Sequence, residues 1–355
     1  MNEALEQLLH RTLTLKASDL YLSSDQAPYP YFRIDGDLVK ATDADTLQLF
    51  AQPAAIFNSL TNAIKGFNEN TLSADFALQT KIARFRVNYF RQINGQSAVF
   101  RPIGDKAHTM HELGLPPVFS EIANSPRGLV LVCGVTGSGK STTLSAMIEH
   151  LNTHTQKHII VLGEPVEQLF DSNKSLIQQR EIGVQCASFA QGLRDALRES
   201  PDVIVVSELR DLETIRLALS AAETGHLVMA TLHSLSCAKA IDRLIEVFPE
   251  SEKTIVRTML STSLYAVTSQ RLFKRVGGPG RIAAHEIMLA TPAIRNLIRE
   301  GKIEHIENQI QTGKKLGMTT FSQSIEQLVR DKKIHPDAMQ NTTATSWNQF
   351  APESL

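Results

Sequence analysis

The sequence has few cysteines and no excess of charge of either sign. Cys133, Cys186 and Cys237 stand too far apart for a disulfide framework or a zinc site, so we expect buried thiols in a reducing compartment. The 36 Lys and Arg residues nearly balance the 37 Asp and Glu residues. This balance argues against a general affinity for nucleic acid or for an anionic membrane, and no basic, aromatic-interleaved segment suggests DNA translocation.

Long apolar runs are also missing. None approaches the roughly 18 residues that cross a bilayer as a helix. The first six residues, Met-Asn-Glu-Ala-Leu-Glu, have neither the basic start nor the apolar core of a signal peptide. We therefore expect a cytoplasmic protein that is not inserted in a membrane, and any membrane link must come through a partner.

Residues 1–103 have the pattern of an α+β domain. The apolar spacing over 5–15 predicts an amphipathic helix. Short apolar runs between turn residues then predict strands at 20–22, 31–34 and 85–90. Two dipeptides typical of β-hairpin turns follow the second and the third of these strands, namely Asp35-Gly36 and Asn94-Gly95.

Residues 118–335 have a different pattern, in which apolar strands alternate with helices. After a linker at 104–117, this alternation predicts a parallel sheet covered by helices on both faces. From about Pro249 onward the pattern is mostly helical, and 336–355 form a polar tail that we expect to be disordered. The predicted strands are 129–133, 158–162, 202–206 and 227–231, and the predicted helices follow Lys140 and cover 189–197 and 209–219.

One motif carries a specific chemistry. It has the form G-x-x-x-x-G-K-[ST], follows a predicted strand and opens a predicted helix, as a phosphate-binding loop requires. Its glycines let backbone N–H groups turn toward phosphates at the positive end of the helix. Lys140 can reach the β- and γ-phosphates of ATP, and Ser141 can hold Mg²⁺. We assign to nucleotide binding Gly134, Val135, Thr136, Gly137, Ser138, Gly139, Lys140, Ser141 and Thr142.

Carboxylates follow two of the predicted strands. Glu208 comes shortly after the strand at 202–206, where P-loop proteins place an acid near Mg²⁺ and the attacking water. We assign Glu208 to catalysis and to the metal, and the alternative is an ordinary surface carboxylate. Glu164 and Glu167 follow the strand at 158–162. Ligands bind at the carboxyl ends of the strands in such sheets, so one of these acids could polarise water, although Glu167 fits a solvated loop charge equally well.

Histidines stand at both ends of the strand at 227–231. His233 follows the strand at the edge where the phosphate loop is expected, so it is a candidate sensor of the γ-phosphate. The alternative is a structural or solvated histidine, which is the better interpretation of His226 at the other end.

Several segments spread over nearly the whole chain resemble a known family. Together they are similar to the secretion ATPases of type II and type IV pilus systems, and most closely to the PilT-like retraction ATPases. The last of them resembles a signature of retraction motors. The segments are 17–20, 84–88, the phosphate loop, 202–211, 217–226, 231–233 and 293–300.

The resemblance implies an α/β protein with a PAS-like N-terminal domain and a RecA-like C-terminal P-loop domain. It implies a homo-hexamer that binds ATP and Mg²⁺ between subunits and powers type IV pilus retraction through an inner-membrane platform protein. A sister retraction ATPase is a further candidate partner. The resemblance also implies that arginines of the N-terminal domain stabilise the transferred phosphoryl group, and Arg84, Arg86 and Arg101 occupy the matching positions. We expect at least one of the three to be only a surface arginine on a strand.

The segment 293–300 also has the spacing of an amphipathic helix. Ile294, Leu297 and Ile298 form an apolar stripe, while Arg295 and Arg299 lie one turn apart and are predicted to share an exposed face. The alternative is a terminal helix that only packs on its neighbour.

One position departs from the family's pattern. The family's acidic segment reads Ile-Glu-Asp-Pro, and its Glu is the implied base that activates water. The matching residues here are Leu162-Gly163-Glu164-Pro165, so Gly163 replaces that Glu and Glu164 replaces the Asp. Loss of a general base costs about 10²–10⁴-fold in rate, so either Glu164 takes the role or hydrolysis is weak. We favour a working but slow ATPase.

Two other functions remain open at this point. The first is an ATP-binding accessory subunit that hydrolyses little and regulates another pilus motor, which the glycine at position 163 would favour. The second is an assembly motor of the same superfamily. It fits less well, because those longer proteins have an extra N-terminal domain and a four-cysteine zinc site, and no segment of this sequence resembles either.

Overall fold

The computed structural model describes residues 2–24, 29–34, 36–104, 106–278 and 280–339. The chain divides into two units. The N-terminal unit comprises Met1–Lys106 with the two later segments Glu164–Leu169 and Glu181–Gln185. The C-terminal unit comprises Ala107–Gly163, Phe170–Arg180 and Cys186–Leu355.

The N-terminal unit is an antiparallel sheet with helices, as the sequence predicts. The strand order is β3-β2-β1-β6-β5-β4. The strands are β1 (Asp19–Ser23), β2 (Tyr31–Ile34), β3 (Asp37–Lys40), β4 (Ser73–Gln79), β5 (Arg84–Gln92) and β6 (Gly95–Ile103). The helices are α1 (Glu3–Thr14), α2 (Ala44–Leu49) and α3 (Pro53–Thr61).

Helix α1 confirms the predicted amphipathic helix. Its first turn is capped by Asn2, whose Oδ1 accepts a hydrogen bond of 3.1 Å from the Leu5 backbone N–H. Its buried face contains Leu5, Leu8, Leu9 and Thr12, and the leucines join the aromatic core of the sheet. Burial of this stripe, at about 25 cal/mol per Å² of apolar area, is what holds the helix on the sheet.

Both predicted hairpins are present. Strands β2 and β3 pair outward from Ile34 and Asp37, and Gly36 between them has φ +99°, which suits glycine. In the β5–β6 hairpin Gln92 pairs with Gly95, so Gly95 already belongs to β6 and the turn lies one residue earlier than the Asn-Gly dipeptide suggests.

The C-terminal unit contains a seven-stranded sheet in the order β13-β12-β7-β11-β10-β8-β9. Strands β12, β7, β11, β10 and β8 run parallel, and β13 is antiparallel to β12. The strands are β7 (Gly128–Cys133), β8 (His158–Gly163), β9 (Leu176–Glu181), β10 (Val203–Val206), β11 (Leu227–Leu232), β12 (Leu264–Lys274) and β13 (Arg281–Leu289). The central strands β7, β10 and β11 are buried along their whole length, which explains their continuous apolar sequences.

The helices of this unit account for the alternation seen in the sequence. They are α4 (Met110–Leu113), α5 (Val118–Ala123), α6 (Lys140–His154), α7 (Phe189–Ala196), α8 (Leu212–Glu223), α9 (Cys237–Glu246), α10 (Glu250–Ser263), α11 (Pro292–Glu300), α12 (Ile306–Thr312) and α13 (Phe321–Arg330), with short 3₁₀ turns at Ile303–His305, Lys314–Leu316 and Pro336–Met339. Helix α8 begins three residues later than predicted. Asp211 accounts for this start, because its side chain accepts the Thr214 N–H and caps the helix.

The region after Pro249 is mostly helical, as predicted, but it also contains two long strands, β12 and β13, that the sequence did not predict. Several buried positions of these two strands carry polar side chains. Thr268, Ser269 and Gln270 are at most 1% exposed inside β12, and His285 and Glu286 are buried in β13. These polar side chains interrupt the apolar run that would otherwise have indicated strands.

Two predicted segments lie at or beyond the limits of the described residues. The linker at 104–117 contains Asp105, which lies outside them, and it also contains α4, which Thr109 and Glu112 cap reciprocally. The disordered tail predicted for 336–355 is described only as far as residue 339, so most of that prediction falls outside the structure. Within the described part of the chain, no helix has the length and apolar character to span a membrane.

Candidate functional site

The carboxyl ends of neighbouring parallel strands bring the predicted site residues of the C-terminal unit to one edge of the sheet. Strand β7 leads into the phosphate loop, β10 leads to Glu208 and β11 leads to His233. Because β7 pairs with β11 and β11 pairs with β10, the three segments are adjacent. This is the edge at which open α/β sheets bind their ligands.

The phosphate loop has the backbone that its glycines allow. Gly134, Gly137 and Gly139 have φ of +148°, +76° and +88°, all in the region that side chains disfavour. Helix α6 begins directly after Gly139, so the first N–H groups of a 15-residue helix lie beside the loop. The Lys140 Nζ donates hydrogen bonds of 3.0 Å to the carbonyl oxygens of Gly134 and Val135.

The loop suits a phosphate-bearing ligand. A Cβ at Gly134 would lie 2.7 Å from the Gln270 carbonyl oxygen, so only glycine permits this path of the backbone. Ser138 is buried, and its hydroxyl has no hydrogen-bond partner among the described residues. Val135, Thr136 and Gly137 are exposed, as are Ser141 and Thr142 on the first turn of α6. An open loop of N–H donors at a helix start is the arrangement that binds nucleotide phosphates.

Glu208 and His233 lie together next to this loop. Two hydrogen bonds tie the strand ends that carry them, because the Leu209 N–H donates to the Thr231 carbonyl at 3.1 Å and the Thr231 hydroxyl donates to the Ser207 carbonyl. The His233 Nε2 is 3.4 Å from the Glu208 Oε1. Glu208 also forms an ion pair of 2.8 Å with Arg210.

The surroundings of His233 lower its pKa. Burial is the largest cause, the Lys140 charge acts in the same direction, and the Glu208 carboxylate opposes both. The Arg243 side chain on α9 donates a hydrogen bond of 2.5 Å to the His233 carbonyl and so fixes the backbone there.

A divalent cation at this edge would need ligands beyond the protein's own carboxylates. The described residues contain no group of three or more His, Cys, Asp or Glu side chains that could hold a metal ion. Ser141 and Glu208 are the predicted ligands, and Mg²⁺ commonly takes one or two protein oxygens together with substrate phosphates and waters. Ser141 and Glu208 would hold Mg²⁺ only together with a bound nucleotide, and this role stays a prediction.

The three predicted arginines are ion-paired within the N-terminal unit. Arg84 contacts Glu181 at 2.7 Å, and Arg101 contacts Asp19 at 2.9 Å. Arg86 binds Asp75 at 2.6 Å and Glu167 at 3.0 Å, and these two carboxylates help to raise its pKa. Their role toward phosphate stays a prediction.

Glu167 has one of these contacts as well. It lies in a loop with its side chain 43% exposed and paired with Arg86, which fits the alternative of a solvated loop charge. Glu164 is exposed and directly follows Gly163, the last residue of β8. Its role as the base stays a prediction.

The helix of the retraction-motor signature differs from its prediction at one arginine. Ile294 and Ile298 are buried in α11, as predicted. Arg295, however, is not on an exposed face with Arg299, because its guanidinium donates hydrogen bonds of 2.8 Å to three carbonyls, those of Ser261, Thr262 and Ala290. Arg295 thereby binds the last turn of α10, while Arg299 is exposed.

The cysteines divide into two groups. Cys133 and Cys237 are completely buried and burial raises the pKa of both thiols, as expected for structural cysteines. Cys186 is only partly buried, so the prediction of buried thiols holds for two of the three.

Sequence reasoning missed three residues around the loop. Arg210 stands two residues after Glu208, so its partnership could have been found from that spacing. Arg243 and Gln270 lie on α9 and β12, far from the motif in sequence, and a single sequence carries no signal that brings them to it.

Comparisons with known proteins show the family of this chain. The family model described as type II/IV secretion system protein matches residues 1–340. The type IV pilus retraction ATPase PilT of Pseudomonas aeruginosa is 51% identical over 314 residues, covering 88% of this chain and 90% of that protein. A twitching motility protein of Neisseria gonorrhoeae is 47% identical over 320 residues, covering 89% and 85%.

A solved structure is similar over the same length. The crystal structure of the pilus retraction motor PilT with bound ADP matches with a TM-score of 0.82 and 34% identity, covering 98% of this chain and 99% of that one. That protein is recorded with a nucleotide, which agrees with the phosphate loop described above. The chain thus belongs to the type II/IV secretion system protein family of ATPases.

Proposed function

We propose that the protein is a homo-hexameric ATPase that powers type IV pilus retraction. The observation that carries the proposal is the phosphate loop with Glu208 and His233 beside it at the carboxyl edge of the sheet, in a chain that is 51% identical to a retraction ATPase. ATP binding and hydrolysis would move the N-terminal domain of one subunit against the C-terminal domain of its neighbour. The ring would pass this motion to pilin through a platform protein of the inner membrane, on its cytoplasmic side.

Each residue of the site has a distinct task in this proposal. The loop N–H groups and Lys140 bind the β- and γ-phosphates, and Ser141 and Glu208 hold Mg²⁺, which supplies charge neutralisation on the transferred phosphoryl group. His233 would donate one ring N–H toward the γ-phosphate. Arg84, Arg86 and Arg101 are the candidates for the stabilising arginine, and any that serves must first leave its carboxylate partner.

The test is steady-state Mg²⁺-dependent ATP hydrolysis by the purified protein, with Lys140→Ala as the background. We expect turnover in the natural chain and none in the variant. In cells, a chain carrying Lys140→Ala should abolish twitching and leave pili on the surface. Normal twitching with that variant would contradict a retraction role, and hydrolysis equal to the Lys140→Ala background would contradict a stand-alone motor.

A second candidate function rests on Gly163. Since the family's implied base has no counterpart at this buried strand end, the protein could instead bind ATP, hydrolyse it slowly and regulate a sister retraction ATPase. Gly163→Glu distinguishes the two, with Gly163→Gln as the matched control for side-chain size. A large rise in turnover for the carboxylate alone favours the accessory function. Equal turnover in both variants favours Glu164 as the working base.

A further inference from the structure

A buried glutamine lies where the phosphate loop leaves the sheet. Strand β12 runs parallel to β7, and their last paired residues are Ser269 and Cys133. Beyond that pair β7 turns into the loop at Gly134, while β12 continues with Gln270. Gln270 still pairs with His285 of β13 on one side, but on the β7 side it is the first residue of β12 to face the loop.

Gln270 contacts both the beginning and the end of the phosphate loop. Its Nε2 donates a hydrogen bond of 2.7 Å to the Ser138 carbonyl oxygen. The backbone carbonyl of Gln270 lies against Gly134. The side-chain Nε2 of Gln270 lies so close to Gly139 that a Cβ added there would be 3.1 Å from it. The side chain is 1% exposed, so water does not replace these contacts.

The bond to Ser138 has a geometric consequence for the next N–H group. The Ser138 carbonyl and the Gly139 N–H belong to one planar trans peptide, in which they point in opposite directions. A donor that holds the Ser138 oxygen on the β12 side therefore turns the Gly139 N–H away from β12. Backbone N–H groups of such a loop are the donors that cradle the phosphates.

The amide group of Gln270 is not explained by a contribution to the stability of the fold. Its Oε1 has no hydrogen-bond partner among the described residues, although the atom is buried. A buried acceptor without a partner is unfavourable, and an apolar side chain of similar size would avoid this cost. The amide is thus better explained by what its Nε2 does for the loop than by the packing of the strand.

We infer that Gln270 is a positioning residue of the phosphate loop, which presets the Gly139 N–H for the phosphates of a nucleoside di- or triphosphate. The inference rests on the proposed nucleotide-dependent function and adds a residue outside the loop motif.

The experiment compares the full-length protein with Gln270→Met, which keeps the side-chain length but has no donor. Thr268→Val is the matched control, because Thr268 lies two residues earlier on β12 and its hydroxyl donates to the Leu131 carbonyl at 3.3 Å, away from the loop. Equilibrium binding of Mg-ADP, and KM and kcat for Mg-ATP, are measured for all three. Thermal unfolding without nucleotide reports on folding.

We expect Gln270→Met to weaken ADP binding about 10-fold, which is the loss of one oriented N–H contact. KM for ATP should rise by a similar factor while kcat is retained, because the Gly139 N–H binds the phosphates in both the ground state and the transition state. A merely structural role would instead lower kcat, by lowering the active fraction, at unchanged KM. Thr268→Val should leave the affinity unchanged.

Three results would overturn the inference. The first is an ADP affinity of Gln270→Met equal to that of the natural protein, which overturns the inference but leaves the proposed function intact. Equal weakening in Thr268→Val shows that the effect belongs to the strand. Absence of nucleotide binding by the natural protein overturns both the inference and the proposed function. If Gln270→Met fails to fold, Gln270→Asn, whose amide is one methylene too short to reach Ser138, is measured against the same criteria.

Discussion

His285 offers a sharp test of how a buried titratable group links stability to pH. The side chain is 3% exposed and packs edge-on against Phe119 with ring centroids 5.1 Å apart. Its Nε2 has no hydrogen-bond partner among the described residues. Burial lowers the pKa of His285 to about 4, because the protonated ring would lose its hydration without gaining an acceptor.

The sign and size of the effect follow from proton linkage. In the unfolded chain a histidine takes up its proton as the pH falls through about 6.5, whereas folded His285 stays neutral down to about pH 4. The unfolded state therefore binds more protons in this window, and the folded state loses stability on acidification. His285 contributes its full stabilisation above pH 6.5. Between pH 7 and pH 5 we expect this single site to lower the free energy of unfolding by about 2 kcal/mol.

The assay is equilibrium urea unfolding of the natural protein and of His285→Leu at pH 7 and pH 5. Other titrating groups act in both proteins, so the difference between their pH dependences isolates His285. We expect the variant to lose about 2 kcal/mol less than the natural protein, and to be nearly as stable at pH 7, because leucine removes a buried nitrogen that has no partner. Parallel losses in the two proteins would refute the argument.

Two further predictions concern Arg295 and the thiols. Arg295→Met should lower the free energy of unfolding by about 2–3 kcal/mol, because three carbonyls lose a charged donor, while exposed Arg299→Met should change it by less than about 0.5 kcal/mol in the same urea titration. Equal effects would refute the contact. In native protein a thiol reagent should modify only Cys186, and slowly, since Cys133 and Cys237 are completely buried and partial burial raises the pKa of Cys186. Rapid reaction of a second thiol would contradict this burial.

The sequence alone predicts the elements whose local pattern and tertiary environment agree. The strand before Gly134 is apolar throughout because it is buried on both faces, and the loop follows it with a fixed glycine spacing, so both could be predicted together. The positions of Glu208 and His233 could be predicted for the same reason. Each follows an apolar strand, and neighbouring parallel strands end at one edge.

Prediction from the sequence fails where polar side chains are buried and bind a partner that is distant along the chain. Gln270 and Thr268 make β12 resemble an amphipathic or loop segment, yet each donates to a backbone carbonyl more than 130 residues away along the chain. The prediction that Arg295 is exposed is wrong for a related reason. Helical spacing places it beside Arg299, but spacing does not show that the end of α10 offers unpaired carbonyls to one of them.

These failures share a physical cause that bears on function. A buried polar residue costs stability unless it is fully satisfied, so a strand selected for stability alone would carry apolar residues at 268–270. In β12 the glutamine stands one residue past the last pair with β7, and one atom of its amide stays without a partner while the other holds the loop. An apolar strand here would restore the pattern that sequence analysis recognises. On our inference it would also release the Ser138 peptide, so the protein would become easier to predict and worse at binding a nucleotide.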